Sequence, residues 1–217
     1  LFAGFGIDAT VVIPFNAALA ALTAEQFVAD WLHARIGAGV AVSGADFTFG
    51  TKRSGNTALL AELGQGHGFA AEVVHAVSDS GGVISSTRIR EALRDGEVAA
   101  ATALLTRPYP IRGEVQHGAK LGRTLGFPTA NMVLGAYLRP RSGVYAVRAR
   151  LADGSLVDGV ANLGIRPMIE PVVELLETFL FDWSGDLYGQ TIDVELVEFL
   201  RSEWKLDGLD ALKAQIA

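Results

Sequence analysis

The chain has 217 residues, half of them apolar and 19% charged, which sets it among globular rather than disordered sequences, long enough for one to two domains. It contains no cysteine, which excludes a disulfide scaffold, a cysteine-ligated metal and a thiol nucleophile and is compatible with the cytoplasm. Net charge is −6 with a pI near 5.2, so no global basic field attracts nucleic acid or an anionic membrane.

The longest charge-free run, Ala9 to Ala24, contains Pro14 and Asn16 and falls short of the roughly 20 residues that span a bilayer. The first cationic residue is Arg35, so the apolar start lacks the basic n-region of a signal peptide. The chain opens on Leu1 rather than Met, and is expected to be a fragment whose natural start lies upstream. Ala9 to Phe15 is β-branched and apolar, the pattern of a strand. Thr23 and Gln26 then form a capping box, and Phe27, Val28, Trp31, Leu32 and Ile36 recur at helical spacing. Val40 to Val42 reads as a short strand running into a loop at Gly44. A helix is expected from Thr57 to Leu63, stopped by Gly64-Gln65-Gly66. Glu72 to Val77 reads as a strand, and Ser86 to Leu105 as two helices broken at Gly96. Such alternation predicts a parallel sheet with helices on its faces.

Beyond Leu105 the pattern changes. Arg107-Pro108-Tyr109-Pro110 interrupts the helical period, and strand-like runs follow at Ile111 to Gln116, Val144 to Leu151, Leu156 to Ala161, Val172 to Phe181 and Thr191 to Phe199. Asp153-Gly154 marks a hairpin between two of them. Leu209 to Ile216 returns to helix. The expectation is an α/β domain over residues 1–106, followed by a small antiparallel β-barrel with a C-terminal helix over 107–217. Charge divides too: Arg107 to Arg150 holds eight Lys/Arg and one acid, whereas Leu151 onward holds four basic and thirteen acidic residues. The local cation excess suits a small anionic ligand, and equally an ordinary solvated surface.

The densest signal is Gly113 to Asn131. Gly118, Gly122 and Gly126 alternate there with Lys120 and Arg123, a composition that lets backbone N–H groups approach phosphate while cations supply charge. It is not a Walker loop, for the Gly-Lys-Ser/Thr ending is absent. A glycine-rich barrel turn fits the same glycines. Pro128 rigidifies the turn before Thr129 and Asn131, two neutral oxygen donors that suit Mg²⁺.

The string Gly122-Arg123-Thr124-Leu125-Gly126-Phe127-Pro128-Thr129-Ala130-Asn131 resembles the ATP-binding segment of the riboflavin kinase family. Further matches follow in order: Gly143-Val144-Tyr145, Ala161 to Pro167, Glu177 to Asp182, Asp186-Leu187-Tyr188-Gly189 and Phe199-Leu200-Arg201. The resemblance covers residues 107–217 and implies ATP and riboflavin as substrates, Mg²⁺ as cofactor and Glu177 as general base. Independently, Leu175, Glu177, Phe179 and Phe181 alternate onto one face, where a lone carboxylate is well placed to titrate. A solvated Glu at the barrel mouth fits that pattern as well, and Glu174 and Asp182 fall on the other face. The resemblance also implies flavin contacts from Arg166, in a mobile flap, and from Arg201. Met168 stands where the family has Thr, and Trp204 departs from the family's ending while offering a stacking or a packing surface.

Two motifs precede these. Gly44 to Gly50, with Asp46, Phe47 and Phe49, resembles the flavin-side loop of the FMN adenylyltransferase module found upstream of bacterial riboflavin kinases. Ile84 to Arg90 resembles that module's phosphate motif: Ser85, Ser86 and Thr87 at a helix N-terminus, followed by Arg88, form an anion site or an overbuilt cap. Together they imply a Rossmann-like nucleotidyltransferase domain and the bifunctional riboflavin kinase/FAD synthetase family, which makes FMN and then FAD. The module's His-x-Gly-His type motif is not in this sequence: His33, His67, His75 and His117 are scattered. A kinase with a scaffold first half is the alternative. A nucleic-acid-binding barrel is the reading from another class, and the acidic charge argues against it.

Overall fold

The computed structural model describes residues 2–117, 128–166 and 173–203. The chain forms two compact units, Leu1–Val83 and Ile84–Ala217.

In the first unit the capping box forms as the sequence predicts. Thr23 Oγ1 accepts from the Gln26 N–H at 3.2 Å and Gln26 Oε1 from the Thr23 N–H at 2.9 Å, satisfying two of the donors a helix start leaves open. A short helix α1 (Ala17–Ala20) precedes α2 (Ala24–Gln26), which continues as a π-helix over Phe27–Arg35. Strands β1 (Val40–Gly44) and β2 (Ala70–Val74) pair in parallel, which requires a crossover, and α3 (Thr57–His67) supplies it. Helix α3 runs through Gly64-Gln65-Gly66, where a stop was expected, and ends at Gly68. Strand β2 starts two residues earlier than expected and stops at Val74; a hairpin of β3 (Ser78–Asp79) and β4 (Gly82–Val83) follows.

The run from Ala9 to Phe15 is not a strand. It has no regular structure and is almost wholly exposed, because β-branched residues hold a strand only when a partner ladder pairs with them, and none of the described residues does so. Ala24, Val28, Phe49, Leu60 and Phe69 form this unit's core.

The second unit begins with α4 (Ser86–Asp95) and α5 (Val98–Leu105), separated where Gly96 turns left-handed at φ 81°, a conformation that costs glycine least. Six strands follow: β5 (Tyr109–Glu114), β6 (Thr129–Val133), β7 (Gly143–Arg150), β8 (Leu156–Arg166), β9 (Val173–Leu180) and β10 (Thr191–Arg201). They make one antiparallel sheet in the order β5-β10-β7-β8-β9-β6. Two register irregularities in β10 bend it. Past the end of β5, the Gln116 N–H donates to the Asn131 carbonyl at 2.8 Å, linking the two outermost strands of the curled sheet. The Asp153-Gly154 hairpin forms between β7 and β8, with Asp153 Oδ1 accepting from the Ser155 N–H and hydroxyl, which holds that carboxyl below its usual range.

Helix α5 belongs physically to this sheet. Val98 lies in the same core as Ile111, Met132, Tyr145, Leu163 and Leu196, and the Arg141 N–H donates to the Leu93 carbonyl at 3.0 Å. The compact units therefore divide at Val83/Ile84, ahead of the prolines that suggest residue 106. Tyr145 is fully buried, which pushes its phenol up to about 12 although nearby Arg141 opposes the shift; its hydroxyl donates to the Arg141 carbonyl. The expected helix from Leu209 to Ile216 lies outside the described residues.

Candidate active site

Register alone assembles the centre of the site. On β6, Asn131 is the cross-strand partner of Glu177 on β9, and Glu177 is in turn the partner of Asn162 on β8. Directly paired residues of antiparallel strands share a face, so a carboxylate lies in one row with an amide on each side. Alternation on β9 sends Leu176, Thr178 and Leu180 into the core and leaves Leu175, Glu177 and Phe179 half-buried on the other face, as the sequence predicts. Glu174 is engaged elsewhere, 2.6 Å from the Arg139 guanidinium, and Asp182 sits in a left-handed turn at φ 50°.

Thr129 stands two residues before Asn131 on β6, opposite Phe179. Asn131 is 6% exposed, and its Nδ2 donates to the Thr129 carbonyl at 3.1 Å. That bond fixes the amide so that its Oδ1 is the group left for a ligand. A hydroxyl and an amide oxygen two residues apart are hard, neutral donors of the type that Mg²⁺ takes beside phosphate oxygens.

At the start of β6 a cavity of about 400 Å³ opens, lined by Pro128, Thr129, Ala130 and Thr178 and by the loop Trp183 to Tyr188. Its walls are mainly apolar and aromatic, as in pockets for planar ligands. The His117 ring packs on Tyr188 at 3.8 Å between centroids. Gly118, Lys120, Gly122, Arg123 and Gly126 lie outside the described residues, as do Met168 and Trp204. Arg166 ends β8 and Arg201 ends β10, where its Nη1 donates to the Ser202 carbonyl at 3.2 Å.

The cation excess between Arg107 and Arg150 is largely spent on the sheet itself. Arg112 pairs with Asp193 at 3.7 Å, Arg139 with Glu174 at 2.6 Å, Arg148 with Asp158 at 2.7 Å and Arg150 with Glu195 at 3.5 Å. The pairing with Arg148 holds the Asp158 carboxyl below its usual range. Arg141 lies over the Phe199 ring at 4.8 Å and donates to the Asp95 carbonyl. The basic and acidic stretches are thus largely cross-strand partners, and the surface reading of that charge holds for these arginines.

The two earlier motifs are placed as follows. In the first unit, Phe47 and Phe49 stack at 5.5 Å; Phe49 is buried against Phe27, while Asp46 is exposed and Phe47 half-exposed. Phe49 and Gly55 exchange backbone hydrogen bonds that close this loop. In the second unit, Ser85 caps α4, its Oγ accepting from the Arg88 N–H at 3.3 Å, and Ser86 Oγ accepts from Arg90 Nη1 at 3.0 Å. Thr87 is exposed and Arg88 partly buried.

Sequence reasoning assigned no role to Asn162 or Thr178. Strand alternation across β8 and β9 was the available signal, but pairing Asn162 with Glu177 needs the register, which the sequence does not display.

Comparison with known proteins gives the family of the chain. A riboflavin kinase (flavokinase) family model matches residues 105–217, and an FAD synthetase family model matches residues 1–88. The bifunctional riboflavin kinase/FMN adenylyltransferase of Haemophilus influenzae is 42% identical over 210 residues, covering 97% of this chain and 68% of that protein. The Escherichia coli K12 protein of the same description is 41% identical over 212 residues, covering 98% of this chain and 68% of its own length. A crystal structure from Streptococcus pneumoniae, described as a macrolide-efflux protein, matches with a TM-score of 0.80 at 36% identity, covering 93% of this chain and 65% of that one. The chain thus spans about two thirds of the length of these relatives. No helix among the described residues is long and apolar enough to cross a membrane.

Proposed function

Since the chain belongs to the family of bifunctional riboflavin kinase/FMN adenylyltransferases, we propose that its curled sheet transfers the γ-phosphoryl group of ATP to riboflavin and that the remainder serves the adenylylation of FMN to FAD. The observation that carries the kinase half is the row of Asn131, Glu177 and Asn162, set beside the cavity at Pro128 and Thr129. Glu177 takes the proton from the primary alcohol of riboflavin as its oxygen attacks the γ-phosphorus, and ADP leaves with the electron pair of the broken P–O bond. Thr129 and the fixed Asn131 Oδ1 would hold Mg²⁺, which when bound neutralises charge on the phosphates. Gly118, Lys120, Gly122, Arg123 and Gly126 are assigned to the ATP phosphates, and Arg166 and Arg201 to the flavin. The curled sheet is read as a barrel, with the Gln116–Asn131 link drawing its edges together.

For adenylylation, the β1-α3-β2 crossover is read as part of a Rossmann-like nucleotidyltransferase domain extending to residue 106. Asp46 and Phe47 are assigned to the flavin, with Phe49 acting through its packing under Phe47, and Ser85, Ser86, Thr87 and Arg88 are assigned to the ATP phosphates. Incubation with riboflavin, ATP and Mg²⁺, followed by separation of the flavins, tests both halves. FMN is expected, and its absence would overturn the kinase reading; FAD formed by this chain would support the adenylylation reading and show that the His-x-Gly-His type motif is dispensable to it.

A further inference from the structure

We propose that Glu203 is a positioning residue of the kinase site, holding the Asn162 amide so that its oxygen receives a hydroxyl of the flavin substrate's polyol chain; the inference rests on the kinase reading above. Glu203 stands two residues beyond Arg201, the last residue of β10. Arg201 pairs with Val144 on β7 and Val144 with Asn162 on β8, so the row through Glu177 runs on across the sheet to the end of β10. From there the Glu203 side chain reaches β8, where its Oε1 accepts from Asn162 Nδ2 at 2.9 Å. A second observation places the same carboxylate. A Cβ on Gly164, two residues along β8 and on the same face as Asn162, would collide with it. The strand thus carries a glycine where the carboxylate lies against its backbone.

Both amides that flank Glu177 are therefore fastened by nitrogen, Asn131 to the Thr129 carbonyl and Asn162 to Glu203. An amide has a donor end and an acceptor end, and an anionic acceptor selects the donor end. Glu203 thus turns Asn162 Oδ1 away from itself and makes it an acceptor. An acceptor beside a general base suits a polyol, because the primary alcohol that gives its proton to Glu177 has a hydroxyl on the next carbon. Directly paired residues, with Cβ atoms roughly 5 Å apart, can receive two neighbouring hydroxyls of one chain. On the other side of Glu177, Asn131 is assigned to the metal and phosphates, which leaves the Asn162 side to the flavin.

The test uses the full chain, with steady-state kinetics for both substrates and thermal unfolding without ligand. Glu203→Ala should raise the riboflavin KM about 3- to 10-fold, with kcat and the ATP KM within about twofold. The melting temperature should hold within about 2 °C, because Glu203 is exposed. Glu203→Gln, whose amide oxygen can accept the same bond, should bring the riboflavin KM back to within about twofold of the parent. Gly164→Ala displaces the end of a flexible side chain rather than backbone, and should raise the riboflavin KM as Glu203→Ala does. In an Asn162→Ala chain, Glu203→Ala should add nothing further, as expected of a residue that acts only through its partner. An unchanged riboflavin KM in Glu203→Ala, additive losses in the double variant, or a matching rise in the ATP KM with a lower melting temperature would each overturn the proposal. If the unsubstituted chain forms FMN and any of these is seen, this inference alone fails; if it forms none, the kinase reading fails and takes this inference with it.

Discussion

Glu177 lies between two neutral amides, neither of which can replace it as a proton acceptor at neutral pH. Glu177→Gln keeps the shape of the row and removes the base, so phosphorylation should fall by roughly 10²-fold or more, with ATP binding retained. Stopped assays of FMN formation alongside calorimetric ATP titration check this, and kinase activity within a few-fold of the parent would remove Glu177 from that role. Asn131→Ala deletes the fixed amide oxygen beside Thr129. The Mg²⁺ concentration for half-maximal rate should rise, and an unchanged metal dependence would reduce Pro128–Asn131 to a turn. Tyr145 gives a pH signature separate from catalysis. Its folded phenol titrates at about 12 against the usual ~10, so the neutral form is favoured by folding. Its stabilising contribution is complete below pH ~10 and lost as pH rises towards 12. Urea midpoints measured across pH 9–12 should fall less steeply in Tyr145→Phe than in the parent. At this scale the sequence was legible wherever a pattern is local, as with the Thr23 capping box and the alternation through Glu177. Thr178 was not, because a threonine between two leucines of one strand face reads as core filling; that its hydroxyl has no partner among the described residues emerges only when the opposite strand is in place.

Gly159 on β8 faces Leu180 of β9 across the ladder. A Cβ there would fall on the Phe179 carbonyl, which is backbone and cannot yield without prising the strands apart. Gly159→Ala should therefore destabilise the sheet by about 1–3 kcal/mol, read as a lower urea midpoint. Because Glu177 is held by the same pairing, kinase activity should fall with it. Helices and hairpins were largely readable as elements: α4 and α5 separate at Gly96, and Asp153-Gly154 turns β7 into β8. The misreadings have physical causes. Gly64 and Gly66 sit within α3 because a helix tolerates single glycines when its ends are capped, here by Asn56 and Gly68. The Ala9–Phe15 run has the composition of a strand but no ladder to join. Strand β6 is not among the runs that read as strands in the sequence, since Thr129-Ala130-Asn131 lacks apolar alternation; its partner β9 makes it a strand.

The riboflavin kinase family model begins at residue 105, next to the boundary expected near residue 106, whereas the compact units divide at Val83/Ile84. Pro108 and Pro110 look like a linker, yet Pro110 is a ladder residue of β5, paired with Glu195, and α5 shares the core of the sheet on its other side. A polypeptide beginning at Ile84 should therefore be more stable than one beginning at Arg107, by at least the ~1.5–3 kcal/mol that burial of Val98 contributes. Comparing their urea midpoints and FMN yields checks this; equal stability would show that α4 and α5 only rest on the sheet. The charge asymmetry along the sequence was likewise visible but not interpretable, because Arg112, Arg148 and Arg150 find their acidic partners only through strand order.

That strand order also bears on how the protein is made. The first strand of the sheet among the described residues, β5, is hydrogen-bonded to the last, β10, so Tyr109–Glu114 has no ladder partner among the described residues until Thr191–Leu196 has left the ribosome. Every earlier hairpin can close during translation, but the sheet stays open along one edge for some eighty residues of synthesis, a wait of roughly 4–16 s at ordinary elongation rates. An emerging chain in that interval exposes the Ile111 side of β5 and the Val98 face of α5, apolar surface that the finished sheet buries.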